Sequence, residues 1–194
     1  MEALSLHAAG LHTTGWCAGP PDAPAAVLLH GVPTSAALWS RLPDHLPDHR
    51  LIALDLPDHG GTAALDVPSF SAHLRWLEAA LAALSVTGPV HLVGQDYGGL
   101  LTALHTARHG TDVASLTLTS CPTGLLWLIP RITALPLLHR YFYQHHSGAL
   151  YLHHGVCDDA RGDFLAIYGH VPERPGLSAS MRQTARHLSA RALW

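Results

Sequence analysis

The stretch VHLVGQDYGG, from Val90 to Gly99, decides the fold of this chain. It begins as a short apolar strand and ends as the start of a helix. Gly94 and Gly98 flank Asp96 in the pattern G-x-nucleophile-x-G, which needs glycines because the turn between strand and helix is sharp and crowded. Asp96 stands where this pattern usually has serine. A serine would form an acyl-enzyme with an ester, whereas a carboxylate is suited to displacing a leaving group from an sp³ carbon.

Composition narrows the class of protein and its partners. The chain has 194 residues, 48% hydrophobic and 13% charged, which predicts one globular domain with a substantial core. A net charge of -3 leaves no basic surplus, so we expect no nucleic acid and no membrane partner. No secretory pattern opens the chain, and the three cysteines show no metal or redox spacing. We therefore expect a cytoplasmic protein.

Strand patterns alternate with helix patterns along residues 1–121. We predict an opening hairpin, then buried strands and amphipathic helices, with one helix ending at Gly88-Pro89 and another followed by Gly110 at its left-handed C′ position. This alternation predicts an α/β fold with a mostly parallel sheet and flanking helices. The predicted strands are 4–7, 11–17, 25–30, 50–55, 90–93 and 113–120; the predicted helices are 35–46, one capped by Ser69 or Ser71, and 98–109.

The pattern changes after Cys121-Pro122. Residues 122–194 are rich in Leu, His, Tyr and Pro, with helical stretches and no clear buried strand. We predict that residues 1–121 form the N-terminal part of the core and residues 122–194 a helical cap.

Three ordered motifs carry a family resemblance. Residues 30–35, HGVPTS, followed by Leu38-Trp39, resemble the HG-x-P-T-S…L-W motif of haloalkane dehalogenases. Residues 55–62, DLPDHGGT, resemble a D-x-P-G-x-G-x-S loop in which Asp58 replaces a glycine, and GQDYGG resembles Q-D-W-G-G with Tyr97 replacing tryptophan. The chain thus resembles the α/β-hydrolase fold and its aspartate-nucleophile branch, which includes haloalkane dehalogenases, epoxide hydrolases and fluoroacetate dehalogenases.

The resemblance implies a role for each motif. Asp96 would be the nucleophile, kept ionised by the helix N-terminus, and the backbone N–H groups of Val32 and Tyr97 would form the oxyanion hole. The Val32-Pro33 bond is expected to be cis. A purely structural Asp96 bonded to helix amides, or a decayed serine enzyme, are the alternatives; the intact glycines and Gln95 argue against decay. Support for the loop and the elbow would come from His30, Gly31, Pro33, Gly94 and Gly98.

The motifs do not determine which leaving group Asp96 would displace. In the dehalogenases, the tryptophan after the nucleophile and often an asparagine before the proline bind halide; here these positions hold Tyr97 and Val32. A tyrosine can donate its O–H only if it points into the pocket. Epoxide hydrolases instead use two cap tyrosines as acids, although ordinary packing is the alternative for each candidate. The substrate is expected to be a small apolar organic molecule, and the candidate acids are Tyr141, Tyr143, Tyr151 and Tyr168.

The catalytic acid and histidine of the family are not found in this sequence. They would follow the cap, or in some dehalogenases the strand at 113–120, which ends without a carboxylate. Neither His170 nor His187 follows a strand like the last one of the family. We therefore expect a chain without the last strands of the core, self-association through the exposed sheet edge, and an Asp96 that is alkylated once without turnover. A non-catalytic, partner-binding fragment is the alternative.

The chain contains 17 histidines, and two adjacent pairs raise the question of a metal site. Neighbouring residues of a helix or strand point in different directions, and no Asp or Glu lies among these pairs, so we expect no metal there. The resemblance implies no cofactor either. The pairs are His145-His146 and His153-His154.

Overall fold

The computed structural model describes residues 1–121. The predicted cap at 122–194 lies outside the described residues. The same holds for the side chains discussed there, which are Tyr141, Tyr143, His145, His146, Tyr151, His153, His154, Tyr168, His170 and His187.

A six-stranded sheet forms the centre of the described part, in the order β1-β2-β4-β3-β5-β6. The last four of these strands run parallel, and the β1–β2 hairpin joins antiparallel at β4, which confirms the predicted mostly parallel sheet. Within residues 1–121, β6 pairs only with β5, and self-association through that edge stays a prediction. The strands are β1 Glu2–Ala8, β2 Leu11–Ala18, β3 Ala25–Leu29, β4 Arg50–Leu54, β5 Val90–Gln95 and β6 Val113–Thr119.

Two α-helices pack against one face of the sheet: α1, Phe70–Ala83, and α2, Asp96–Arg108. Because β3 and β4 are buried on both faces, their side chains alternate between two apolar clusters. Val27 and Ile52 face α1 and α2, whereas Leu28 and Ala53 face the opposite side, which the turn Ala36–Trp39 covers. Among the described helices, none combines the length and the apolar character needed to cross a bilayer.

The segment 35–46, where we predict a short helix that Pro43 disturbs, contains no α-helix. Two short 3-10 helices, Ala36–Trp39 and Leu42–Asp44, occupy this segment instead. Pro43 lacks a backbone N–H and its ring obstructs the preceding turn, so a continuous α-helix cannot run through it. Ser35 caps the first turn by accepting a hydrogen bond from the amide of Ala37.

Both predicted glycine helix ends also need correction. Ser69 caps α1 as expected, but the helix ends at Ala83, before Gly88-Pro89, and Ser85 takes a left-handed φ of 50°. A serine in that conformation is uncommon, so the sequence alone favours the glycine. After α2, Gly110 opens a 3-10 turn, Gly110–Asp112, and its φ is not left-handed.

Candidate active site

Three loops meet at one edge of the sheet. Strand β3 lies between β4 and β5 and runs parallel to both, so the carboxyl ends of the three strands lie side by side. His30 and the residues after it follow β3, Asp55 follows β4, and Asp96 follows β5. The three sequence motifs are therefore brought together in space.

The elbow after β5 is as tight as the glycine spacing indicates. Asp96 has a φ of 50°, a left-handed conformation that costs an aspartate of the order of 1–2 kcal/mol. A Cβ at Gly98 would overlap the backbone carbonyl oxygens of Leu29 and His30. A Cβ at Gly94 would overlap the hydroxyl of Thr102. A side chain at Gly98 would push the elbow away from the end of β3, and one at Gly94 would push α2 away from β5.

The loop after β3 is fixed to this elbow by two amides. The N–H of Gly31 donates to Oε1 of Gln95 at 2.7 Å, and the N–H of Val32 donates to Oδ2 of Asp96 at 3.1 Å. The Val32-Pro33 peptide bond is cis, as the resemblance implies. Gln95 was recognised only as part of a motif, and its contact shows what its amide oxygen does: it holds the loop against the elbow.

The carboxylate of Asp96 also accepts a hydrogen bond from the backbone N–H of Tyr97. Burial raises the pKa of Asp96, and the amides of Val32 and Tyr97 offset only part of that rise. From the sequence, we expect the start of α2 to keep Asp96 ionised. The two amides do lower its pKa, but burial has the larger effect. A raised pKa makes the ionised carboxylate a more basic nucleophile.

His30 ties the loop after β3 to the loop after β4. Its Nδ1–H donates to the carbonyl oxygen of Gly31 at 2.7 Å, and its Nε2 accepts the N–H of Leu56 at 2.9 Å. The ring is fully buried, and burial lowers its pKa to about 4. Because both nitrogens are occupied and the ring is neutral, His30 supports the loop and is not free to act as a base.

Asp55 is a second carboxylate near the site, but its oxygens are already used. It accepts hydrogen bonds from the Thr14 hydroxyl at 2.7 Å, the Ala36 amide at 2.8 Å and the Gly61 amide at 3.3 Å. A Cβ at Gly60 would overlap this carboxylate. Asp55 therefore holds its own loop together. The sequence could not predict this role, because Thr14 lies on β2, far from Asp55 along the chain.

Comparison with known proteins agrees with this geometry. The alpha/beta hydrolase fold family matches residues 24–145, which is more than half of the chain. The chain belongs to this family.

Two relatives and one solved structure illustrate the similarity of this α/β-hydrolase to proteins of different activity. Monoacylglycerol lipase abhd6-A of Xenopus laevis is 34% identical over 114 residues, covering 56% of this chain and 34% of the lipase. A haloalkane dehalogenase of Mesorhizobium japonicum is 38% identical over 95 residues, covering 48% of this chain and 30% of the enzyme. Both matches thus span about a third of the relative's length. The haloalkane dehalogenase DbeA of Bradyrhizobium elkani has the same fold, with a TM-score of 0.72 at 18% identity, covering 99% of this chain and 72% of its own.

Asp58 explains one departure from the motif of this α/β-hydrolase. The loop after β4 has a glycine at this position in the pattern that the chain resembles, and Asp58 adopts a φ of 66°. Aspartate is among the residues that best tolerate this conformation. The substitution therefore keeps the left-handed turn, and the loop is intact.

The ring of Tyr97 packs against the first turns of α1. It stands edge-on to Phe70, with ring centroids 5.9 Å apart, and to His73, at 5.4 Å. The side chain is buried, and its hydroxyl has no hydrogen-bond partner among residues 1–121. Burial also raises the pKa of this hydroxyl, so it is a protonated donor at neutral pH. The backbone of Tyr97 faces Asp96 while its ring fills the space beside α1.

Two further histidines surround this region and were not singled out from the sequence. His59 lies beside His30, with ring centroids 5.3 Å apart, and burial together with the neighbouring His30 lowers its pKa to about 3. His73 donates a hydrogen bond from Nδ1 to the Ser69 carbonyl oxygen at 2.8 Å, and burial lowers its pKa. Both are neutral, and within residues 1–121 no histidine ring is hydrogen-bonded to the Asp96 carboxylate.

Cys121 lies where β6 approaches the elbow. Its thiol is 3.9 Å from the carbonyl oxygen of Gly94, and a Cβ at Gly99 would overlap its sulfur. Burial and the charge of Asp96 raise the pKa of this thiol. The described end of β6 therefore places a protonated thiol, and no carboxylate, beside the nucleophile position.

Proposed function

We propose that this α/β-hydrolase uses Asp96 as a nucleophile against an sp³ carbon. The observation that carries the proposal is the geometry of the carboxylate: a left-handed elbow presents it at the start of α2, and two backbone amides hold it. A merely structural carboxylate would not need a strained backbone, because an aspartate can cap a helix from an extended conformation.

The two oxygens of Asp96 would have different tasks. The amide of Val32 binds Oδ2, which leaves Oδ1 to attack the substrate carbon. The new Oδ1–C bond forms as the bond to the leaving group breaks, and the leaving group departs with the electron pair. Oδ2 then becomes the carbonyl oxygen of an alkyl-enzyme ester.

The same amides would serve the second step. Hydrolysis of the ester would need a base to take a proton from the attacking water, and within residues 1–121 no histidine ring is hydrogen-bonded to Asp96. As the water adds to the carbonyl carbon, negative charge would develop on Oδ2, to which the N–H of Val32 donates, with the N–H of Tyr97 beside the same carboxylate. Collapse of this intermediate releases an alcohol and restores the carboxylate. The amides need no particular side chain, so Val32 and Tyr97 suffice for this role.

Ester hydrolysis of the lipase kind fits Asp96 less well. A carboxylate that attacks an ester carbonyl forms an acid anhydride, which is less stable than the acyl-serine ester formed at the elbow of serine hydrolases. Similarity to a monoacylglycerol lipase supports the fold and the loop positions, whereas the residue at the elbow favours displacement chemistry.

Halide and epoxide oxygen are the two leaving groups to separate. Similarity to a haloalkane dehalogenase supports halide. Tyr97 does not supply the proton that an epoxide oxygen needs, because its buried ring packs against Phe70 and His73 of α1 and only its backbone faces Asp96. An epoxide opened by Asp96 leaves an alkoxide that needs a proton, and a halide does not.

Product analysis separates the candidates. The purified protein is incubated with 1-bromobutane, with 1,2-epoxybutane or with p-nitrophenyl butyrate, and bromide, diol and nitrophenol are measured. We expect bromide release of at least one equivalent per chain, with Asp44→Asn as an exposed-carboxylate control of unchanged reactivity. Diol formation without bromide would shift the assignment to epoxides. Nitrophenol as the only product would contradict displacement chemistry.

A further inference from the structure

The far end of α2 carries a second group of chemically active side chains. Glu78 of α1 faces His105 of α2 and His109, which directly follows α2. One ligand atom from each of the three residues lies within 4.8 Å of the other two. Its nearer histidine, His105, lies nine residues along α2 from Asp96, or about 14 Å, so the cluster is separate from the active site.

The two histidines converge because they are four residues apart in the sequence. Residues four apart lie on the same side of a helix, one turn above the other, and the two imidazole rings stack with centroids 4.8 Å apart. Glu78 is brought to them by the packing of α1 against α2, and its Oε1 is 3.4 Å from Nε2 of His109.

One member of the cluster has a polar atom that the fold leaves unused. His105 is more than nine-tenths buried, and its Nδ1 has no hydrogen-bond partner among the described residues. A buried polar atom without a partner costs about 1–3 kcal/mol, so an unfilled site here is unfavourable. A bound cation would give that nitrogen a partner.

We propose that Glu78, His105 and His109 bind a divalent transition-metal ion, preferably Zn²⁺, and that the ion clamps α1 to α2. Two imidazoles and one carboxylate are a ligand set that Zn²⁺ accepts in tetrahedral geometry, with water in the fourth position. Zinc ligands at about 2.0–2.1 Å lie about 3.3 Å from one another, so the cluster must contract by about 1.5 Å at most. Rotation of the exposed His109 and the half-buried Glu78 can supply this movement.

The neighbouring charges favour a cation on balance. Asp112 is close enough to His105 to interact with it electrostatically, and it adds a second negative charge beside Glu78. Arg108 opposes this, since its guanidinium is 3.9 Å from Glu78 Oε1, but its side chain is half exposed and can swing into water.

Zinc titration of the full 194-residue chain tests the proposal. Free Zn²⁺ is followed with a chromophoric chelator, first in the wild type and then in His109→Ala, an exposed position where folding is not at risk. We expect the variant to lose one equivalent of bound zinc and Glu78→Gln to weaken that site at least about 10-fold. The remaining histidine pairs of the sequence are controlled by a variant in which His145, His146, His153 and His154 are alanine, which should keep the equivalent.

Thermal unfolding provides an independent measurement. At about 100-fold excess over the dissociation constant, zinc should raise the Tm of the wild type by about 5 °C or more. This rise should disappear in His109→Ala and in His105→Gln. Equal stoichiometry and an equal zinc-dependent Tm in the wild type and His109→Ala would overturn the proposal. Loss of the equivalent only in the four-histidine control would also overturn it.

Discussion

The two ends of α2 present chemically active groups in different ways. At its first residue, Asp96 is held by backbone amides and by glycines that let three loops approach closely. At its other end, His105 of α2, the following His109 and Glu78 of α1 converge through their side chains alone. An amide-built site tolerates substitutions such as Tyr97 for tryptophan but no added Cβ at the elbow. A site built from side chains depends instead on the identity of each side chain and less on close backbone contacts.

The largest expected effect comes from replacing the nucleophile at the first end of α2. Asp96→Asn removes the nucleophile but keeps its shape, and we expect the rate of leaving-group release to fall by about 10³-fold or more. Because burial raises the pKa of Asp96, the neutral asparagine should also raise the Tm at pH 7 by about 2–4 °C. This gain should shrink as the pH falls and Asp96 of the wild type becomes protonated. A slower enzyme with an unchanged or lower Tm would contradict the electrostatic part.

The next effect tests the steric part of the comparison. Gly98→Ala places a Cβ against the carbonyl oxygens of Leu29 and His30, so we expect at least about 3 kcal/mol less stability in urea unfolding. Gly110→Ala is the matched control, because no atom lies within 4 Å of the added Cβ and its φ is ordinary. The control should change stability by less than about 0.5 kcal/mol. Similar stability of the two variants would mean that the elbow is less crowded than described.

Acid should weaken the first end of α2 more than the second. The buried rings of His30, His59 and His73 are neutral in the fold, and their pKa values lie below that of an exposed histidine, at about 4 for His30 and about 3 for His59. Their stability contribution is complete above pH 6.5 and is lost as the pH falls towards 4. At these three rings the unfolded chain then binds up to three more protons, equivalent to about 4 kcal/mol per pH unit, whereas His105 at the second end, whose pKa burial also lowers, adds at most one.

Urea unfolding between pH 7 and 4.5 measures this dependence. Asp96 acts in the opposite direction, since its raised pKa favours the fold in acid, but it contributes at most one proton against three. His45→Gln, at an exposed position, serves as the control and should leave the slope unchanged. A stability that is flat over this range would show that the three rings are not buried neutral.

The smallest expected effect is on stability, when the cluster at the second end of α2 is changed in the absence of metal. His109→Ala removes an exposed contact with Glu78, which is worth less than about 0.5 kcal/mol. We expect nearly unchanged stability in a chelating buffer and a difference only when zinc is added. A loss above about 1 kcal/mol in the chelating buffer would mean that the cluster is structural by itself.

The sequence predicted the first end of α2 far better than the second. Glycine spacing around Asp96 restricts the backbone locally, so the elbow could be predicted from neighbouring residues, and apolar runs predicted the parallel strands. The cis bond at Pro33 followed only from the family resemblance. The cluster at the other end depends on Glu78, which lies 27 positions before His105 and approaches only through helix packing. Adjacent histidine pairs had drawn attention instead, although residues four apart are the ones that share a helix face.

Other features that the sequence did not predict have a similar cause. Ser85 ends α1 with a left-handed φ that glycine normally supplies, and the uses of Gln95 and Thr14 depend on contacts between distant strands. Asp58 shows the reverse case, where a residue that departs from the motif keeps its backbone conformation. Local patterns thus locate turns well, while the partners of a buried polar group follow from the order of the strands.

Intact-mass analysis after reaction with an alkyl bromide tests the central claim most directly. The wild type is mixed with 1-bromobutane, quenched in acid at short times and mapped by peptide mass spectrometry, with Asp96→Asn treated in parallel. The account predicts one butyl group per chain on the peptide that contains Asp96, and none on that peptide in the variant. A butyl group elsewhere, on Cys121 for example, or equal labelling of the wild type and the variant, would contradict Asp96 as the nucleophile.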